Sequence, residues 1–237
     1  MVLHSRLRAR HGSRSTLPAF SFDKQLSRAI EKIIGVEYNC SMEIELKAHA
    51  RDREAVLQKL RSFAVFDKSV SKDDRYFKLE KAAAPNGHIS ARIRQEKSSG
   101  QDGRALEEKI FLTYKKKERR LSSGGGALEV NQEYESALDN AECLEALFSD
   151  IGFVPYFTKH KDALGFYADT PCGKAHLELC SVPPLGDFLE IEFVTEGDVP
   201  EKEIAAMRAE LEALVLKCGL ALDDIEEKYY SELLAAK

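Results

Sequence analysis

One device recurs along the chain and limits what it can fold into: two residues of like charge, two positions apart. Positions i and i+2 of a β-strand point to the same face. Glu43, Glu45 and Lys47 therefore share a face, with Ile44, Leu46 and Ala48 on the other. The same holds for Arg92 and Arg94 around Ile93, for Lys115 and Lys117, and for Glu133 and Glu135 around Tyr134. It recurs in Lys159 and Lys161 and in Glu190 and Glu192 around Ile191, while His176, Glu178 and Cys180 alternate with Leu177 and Leu179.

A single alternating strand is what any sheet shows when one face meets water and the other a core. Two features argue for more. Like charges on neighbouring positions repel, and a merely solvated face mixes signs. The chain also carries amphipathic helix patterns over Asp52–Ala64, Ala137–Ile151 and Pro200–Cys218, with a short terminal helix over Ile225–Ala235. Apolar residues three or four apart need a surface to cover. If these helices lie outside a curved sheet, they cover its apolar face and the charged face turns inward. The expected class is α+β: a closed antiparallel β-barrel with a charged interior and helices packed outside.

Charge concentrated inside a barrel is costly unless a ligand and opposite neighbours compensate it. Arg92, Arg94, Lys115, Lys117, Lys159 and Lys161 suit a polyanion, since Arg offers bidentate oxygen contacts and Lys a compact charge. Glu43, Glu45, Glu133, Glu135, Glu190 and Glu192 suit hard, oxygen-seeking cations, Mg2+ or Mn2+. A polyanion with such a cation describes a polyphosphate.

The remaining features exclude alternatives. A net charge of −5 over 237 residues argues against a nucleic-acid partner. No apolar run of membrane-spanning length occurs. Five scattered cysteines without a CxxC argue against a disulfide framework or structural zinc and make a reducing cytoplasm the expected compartment. No Ser/His/Asp or Cys/His nucleophilic set is evident. Tyr76 and Phe77 are expected to pack rather than to stack a base. Residues 1–41 are read as an N-terminal extension, a flexible basic arm, a transit-like leader or, the favoured reading, sequence upstream of a true start at Met42, and residues 42–237 as one domain.

The ordered motifs resemble the CYTH superfamily, the triphosphate tunnel enzymes. Glu43-x-Glu45-x-Lys47 is similar to its ExExK signature. It is followed in family order by Arg92-x-Arg94, Lys115, Lys159-x-Lys161 and Leu185-Gly-Asp-Phe-Leu-Glu-Ile-Glu192, which looks like the LGDFxExE strand. Lys228-Tyr-Tyr-Ser-Glu-Leu-Leu234 resembles the terminal helix of the class IV adenylate cyclase branch. The resemblance implies an eight-stranded tunnel, with Glu43, Glu45 and Glu190 as metal ligands supported by Glu133, Glu135 and Glu192. It also implies phosphate contacts from the arginines and lysines, and Lys47 beside the reacting group. Two departures stand out. Lys161 replaces the usual Arg, and Cys180 replaces an acidic residue for which Glu178, on the same face, is the candidate substitute. The expected activity leans to cyclisation of ATP. The alternatives are an inorganic or thiamine-type triphosphatase and a non-catalytic polyphosphate or nucleotide module. The expected partner is a small triphosphate, ATP or tripolyphosphate; a homodimer through a strand edge or the terminal helix is a further expectation.

Overall fold

Alternating strands that bury both faces, one under helices and one around a cavity, close on themselves in the computed structural model. It describes residues 39–79, 90–121, 127–197 and 199–237; the side chains of residues 39, 40, 90, 115–121 and 127 lie outside the described set. Eight strands follow in chain order: β1 (Asn39–His49), β2 (Val65–Leu79), β3 (Ser90–Ser99), β4 (Ala105–Leu121), β5 (Ala127–Leu138), β6 (Phe153–Thr170), β7 (Gly173–Val182) and β8 (Gly186–Glu196). They pair antiparallel in the order β1-β5-β4-β3-β2-β6-β7-β8, and β8 returns to β1. Closure gives every strand two neighbours and leaves no unpaired edge among the described residues.

Among the described residues, four α-helices accompany these strands: α1 (Arg53–Phe63), α2 (Glu142–Asp150), α3 (Glu201–Lys217) and α4 (Tyr230–Ala235). Helix α1 starts where Asp52 accepts a hydrogen bond from the Ala55 amide at 3.0 Å. Helix α3 stops at Gly219, whose φ of +81° lets the Leu220 amide reach back to the Val215 carbonyl at 3.3 Å. Between them, Val56, Leu57, Leu60, Ile204, Leu211, Leu214 and Val215 cover the outward apolar positions of the sheet, including Ile44, Leu46, Leu177, Leu179, Leu189 and Ile191. A second outer cluster joins Phe148 of α2 to Phe77, Ala91 and Ile93. The apolar face is therefore outside the barrel and under the helices, and the charged face is inside.

Two helix boundaries differ from expectation. Ala137 and Leu138 extend β5, where they pair with Phe111 and Ile110, and α2 begins only at Glu142. Ladder pairing with β4 outweighs the helix preference of a short Ala-Leu stretch. Residues 225–229 are not helical: Ile225 bridges to Ala48 and the Glu226 amide donates to the Lys47 carbonyl at 2.7 Å. That tether to β1 carries the chain across the barrel mouth before α4 begins. All described residues fall within one compact unit, Tyr38–Lys237, and the strand pairing starts at Asn39. Residues 1–38, which make up most of the N-terminal extension, lie outside the described residues, as do residues 80–89, 122–126 and 198.

Candidate active site

The inward residues enclose a cavity of about 250 Å3. Its walls differ in charge because the barrel order separates the motif strands. Strands β1 and β8 are adjacent and bring Glu45 opposite Glu192. Glu43 lies one inward position further along β1. One carboxylate oxygen from each of Glu43, Glu45 and Glu192 comes within 4.8 Å of the other two. The His176 Nδ1 lies 3.0 Å from Glu192 Oε1 and fixes that carboxylate from β7. Two oxygens on one Mg2+ or Mn2+ are at most about 4.2 Å apart, given bonds near 2.1 Å. Three hard carboxylate donors at this spacing fit such an ion after small side-chain shifts.

Across the barrel, β3, β2 and β6 form the cationic wall. Asp74 of β2 is 1% exposed and lies beneath this wall. It accepts from Arg94 Nε at 2.7 Å and Arg94 Nη2 at 3.0 Å, and Lys159 Nζ is 3.3 Å away. Burial opposes its charge, but Arg94, then Lys159 and Arg92, hold its carboxyl well below the usual range. This forked pair fixes Arg94. Arg92 donates instead to Thr113 Oγ1 at 2.9 Å, and Thr113 donates on to Glu135 at 2.9 Å. The Arg92 Nε is buried without a partner.

A third group of charges fills the β2–β6–β7–β8 side. Lys161 Nζ donates to Glu178 and to Glu190, both at 2.6 Å, and Lys72 Nζ donates to Glu178 at 2.5 Å. Burial works against both carboxylates, yet Lys161 and then Lys72 hold Glu178 well below the ordinary range. Lys161, opposed in part by Glu178, brings Glu190 to about 2. Burial dominates at Lys72, whose pKa falls despite Glu178.

The terminal segment closes over these groups. Lys47 Nζ donates to the Lys228 carbonyl at 2.7 Å and stands 4.0 Å from Glu129. The Tyr230 ring has Lys47 and Lys159 ammonium groups 4.6 and 4.7 Å from its centroid, and its hydroxyl donates to Glu190 at 2.6 Å. Further along the barrel axis the interior becomes apolar. Val70, Ala163, Cys180, Val182 and Phe188 form a buried plug, with Leu185, Tyr230 and Leu233 against it. Cys180 is fully buried there, and burial pushes its thiol up to about 12.

The structure thus brings the described members of the sequence-derived set together: Glu43, Glu45, Lys47, Arg92, Arg94, Glu133, Glu135, Lys159, Lys161, Glu178, Glu190 and Glu192 all line the cavity. Glu43, Glu45 and Glu192 form the one carboxylate triad of metal-ligating spacing among the described residues, while Glu178 and Glu190 engage lysines. Lys115 and Lys117 lie in β4 opposite Glu133 and Asn131; their side chains are outside the described residues. Tyr76 packs as expected, stacked on Phe157 at 4.1 Å between centroids, but also lines the cavity.

Sequence reading missed Lys72, Asp74, Glu129 and Tyr230. In β2 the inward series Val70, Lys72, Asp74 and Tyr76 mixes signs, so it lacked the like-charge signature. The signal that remained was its period of two, together with the eighth strand that barrel closure demands. Glu129 sits four residues before Glu133, on the same face of β5 as the Glu133 and Glu135 pair already recognised.

No known family model matches the chain, and no curated protein sequence does. Solved structures do. The PH1819 protein from Pyrococcus horikoshii OT3 is similar with a TM-score of 0.63 and 23% identity, over 82% of this chain and 98% of its own. A candidate adenylate cyclase from Vibrio parahaemolyticus gives a TM-score of 0.56 at 17% identity, over 82% and 98%. A candidate adenylyl cyclase from Hippeastrum, described as having a dominant triphosphatase activity, gives 0.50 at 14% identity, over 83% and 95%. With its charge motifs facing inward, the chain shares the fold of these solved structures, an eight-stranded closed barrel.

Proposed function

We propose that the chain is a divalent-metal-dependent hydrolase that removes a terminal phosphate from a short triphosphate. The observation that carries this reading is the convergence of Glu43, Glu45 and Glu192 on one wall of a cavity whose facing walls carry Arg92, Lys159 and Lys161. Mg2+ or Mn2+ held there supplies charge neutralisation at the phosphate oxygens and a more acidic water. The protein groups do the rest. Arg92 and Lys159 receive non-bridging oxygens, Asp74 fixes Arg94 behind them, and Lys47 positions the attacking oxygen. Phosphoryl transfer needs this positioning and charge compensation more than a protein nucleophile.

Hydrolysis is favoured over cyclisation by the lining. Of the aromatic rings that line the cavity, Tyr76 and Phe157 are stacked on each other, and Tyr230 carries two lysines. Cys180 is inside the plug and places no acid at the cavity. One observation favours the cyclase reading. The terminal segment, in which the cyclase-like motif lies, reaches the cavity through Tyr229, Tyr230 and Ser231.

The test is to give the full chain tripolyphosphate or ATP with Mg2+ or Mn2+ and to measure phosphate, pyrophosphate and cyclic AMP. Phosphate from tripolyphosphate is expected. Cyclic AMP with stoichiometric pyrophosphate would establish the cyclase reading, and binding without turnover a sensor. Loss of an outer-shell partner costs metal sites about 10–100-fold, so Glu43→Ala and Glu45→Ala should each cost ~100-fold or more. Full activity in both would refute the metal assignment.

A further inference from the structure

Asn131 is 0% exposed, and neither its amide oxygen nor its amide nitrogen has a hydrogen-bond partner. Buried amides are almost always satisfied, and an orphaned one calls for an explanation. Its neighbours on β5 fix its direction. Leu128 and Val130 belong to the outer core, whereas Glu129, Glu133 and Glu135 line the cavity. Strand alternation therefore turns Asn131 inward. It also stands directly opposite Glu43 in the β1–β5 register, with Glu129 opposite Glu45 one inward position away. Facing residues in an antiparallel pair have Cβ atoms about 5 Å apart, within reach of an amide and a carboxylate sharing one ligand.

We propose that Asn131 belongs to the cation site, giving its amide oxygen to the divalent ion held by Glu43, Glu45 and Glu192 and its amide nitrogen to an oxygen of the bound phosphate. The proposal rests on the cation reading above and adds a ligand of a different kind. The chemistry favours a neutral group at this place. Three carboxylates already exceed the charge of one divalent ion, and a fourth would repel the polyanion that must approach the same ion. An amide supplies a hard oxygen without adding negative charge, and its N–H2 faces an oxyanion favourably. Both orphaned atoms are then satisfied together, when ion and phosphate are present, and neither when they are absent.

This predicts opposite effects on binding and on the empty fold. Replacing an unsatisfied buried amide with an apolar group of similar shape is neutral or stabilising. In the full-length protein, Asn131→Leu should keep or raise the metal-free Tm. It should also weaken Mn2+ binding about 10–100-fold, followed by the EPR signal of free Mn2+. Asn131→Asp should tighten Mn2+ binding and weaken tripolyphosphate. Glu43→Ala serves as the comparator and should abolish Mn2+ binding.

If Asn131→Leu lowers the metal-free Tm and leaves the Mn2+ Kd within twofold, the amide is part of the fold and the proposal is overturned while the cation site stands. If Asn131→Leu does not fold, an Asn131→Asp protein with unchanged Mn2+ and tripolyphosphate affinities overturns it equally. If the wild type binds no Mn2+, or binds it as well after Glu43→Ala, the cation reading itself fails.

Discussion

Removing the Glu178 carboxylate should unbalance the most buried part of the charge lattice. Its side chain is 8% exposed and lies 2.5 Å from Lys72 Nζ and 2.6 Å from Lys161 Nζ. In Glu178→Gln, Lys161 keeps Glu190 at 2.6 Å, but the nearest other carboxylate to Lys72 is Glu96 at 4.0 Å. Deleting one partner of a buried ion pair costs about 3–5 kcal/mol, because the remaining charge stays desolvated. For a urea m-value of about 2.5 kcal/mol/M, the unfolding midpoint at pH 7 should fall by roughly 1–2 M.

The deficit should also depend on pH. Burial holds the folded pKa of Lys72 below 10.5, with Glu178 raising it in part. Between the folded pKa and 10.5 the unfolded chain binds more protons at this site, so stability rises with pH there. Without Glu178 the folded pKa drops further and the window widens downward. The gap between variant and wild type should therefore narrow from pH 7 towards pH 10. Tripolyphosphate should restore the variant more than it stabilises the wild type, because the polyanion replaces the lost charge. A midpoint within about 0.3 M of wild type at pH 7, with no pH dependence, would show that water reaches this cluster and that its charges are not mutually required.

Two further outcomes concern the cysteines. Cys180→Asp restores an acid at a place where Val70, Ala163, Val182 and Phe188 surround it. It should cost at least ~3 kcal/mol by thermal or urea unfolding without improving metal affinity; a stable variant with tighter Mn2+ binding would place Cys180 at the metal site instead. Burial raises the thiols of Cys180 and Cys218 to about 12, while Cys143 is exposed. Iodoacetamide at pH 8 should therefore modify Cys143 in the native protein and reach Cys180 and Cys218 only after unfolding, as peptide mass mapping would show.

The sequence alone determined which face of each motif strand is charged, because strand alternation is a local property with a period of two. It also showed that amphipathic helices had to cover the opposite face, which placed Glu43, Glu45, Arg92, Arg94, Lys159 and Lys161 inside a barrel. Tertiary structure decided which of the inward charges meet. Cross-strand register sets Glu45 against Glu192 and Glu178 against Glu190, and register is not written in either strand by itself. It also revealed β2, whose Lys72 and Asp74 mix signs because each neutralises charges from other strands. Depth was the last property to escape the sequence. Cys180 shares its face with Glu178, yet one lies in an apolar plug and the other in an ion-paired cluster. Alternation fixes the side of the sheet on which a residue points, while its position along the barrel axis depends on what the other seven strands and the terminal helix place beside it.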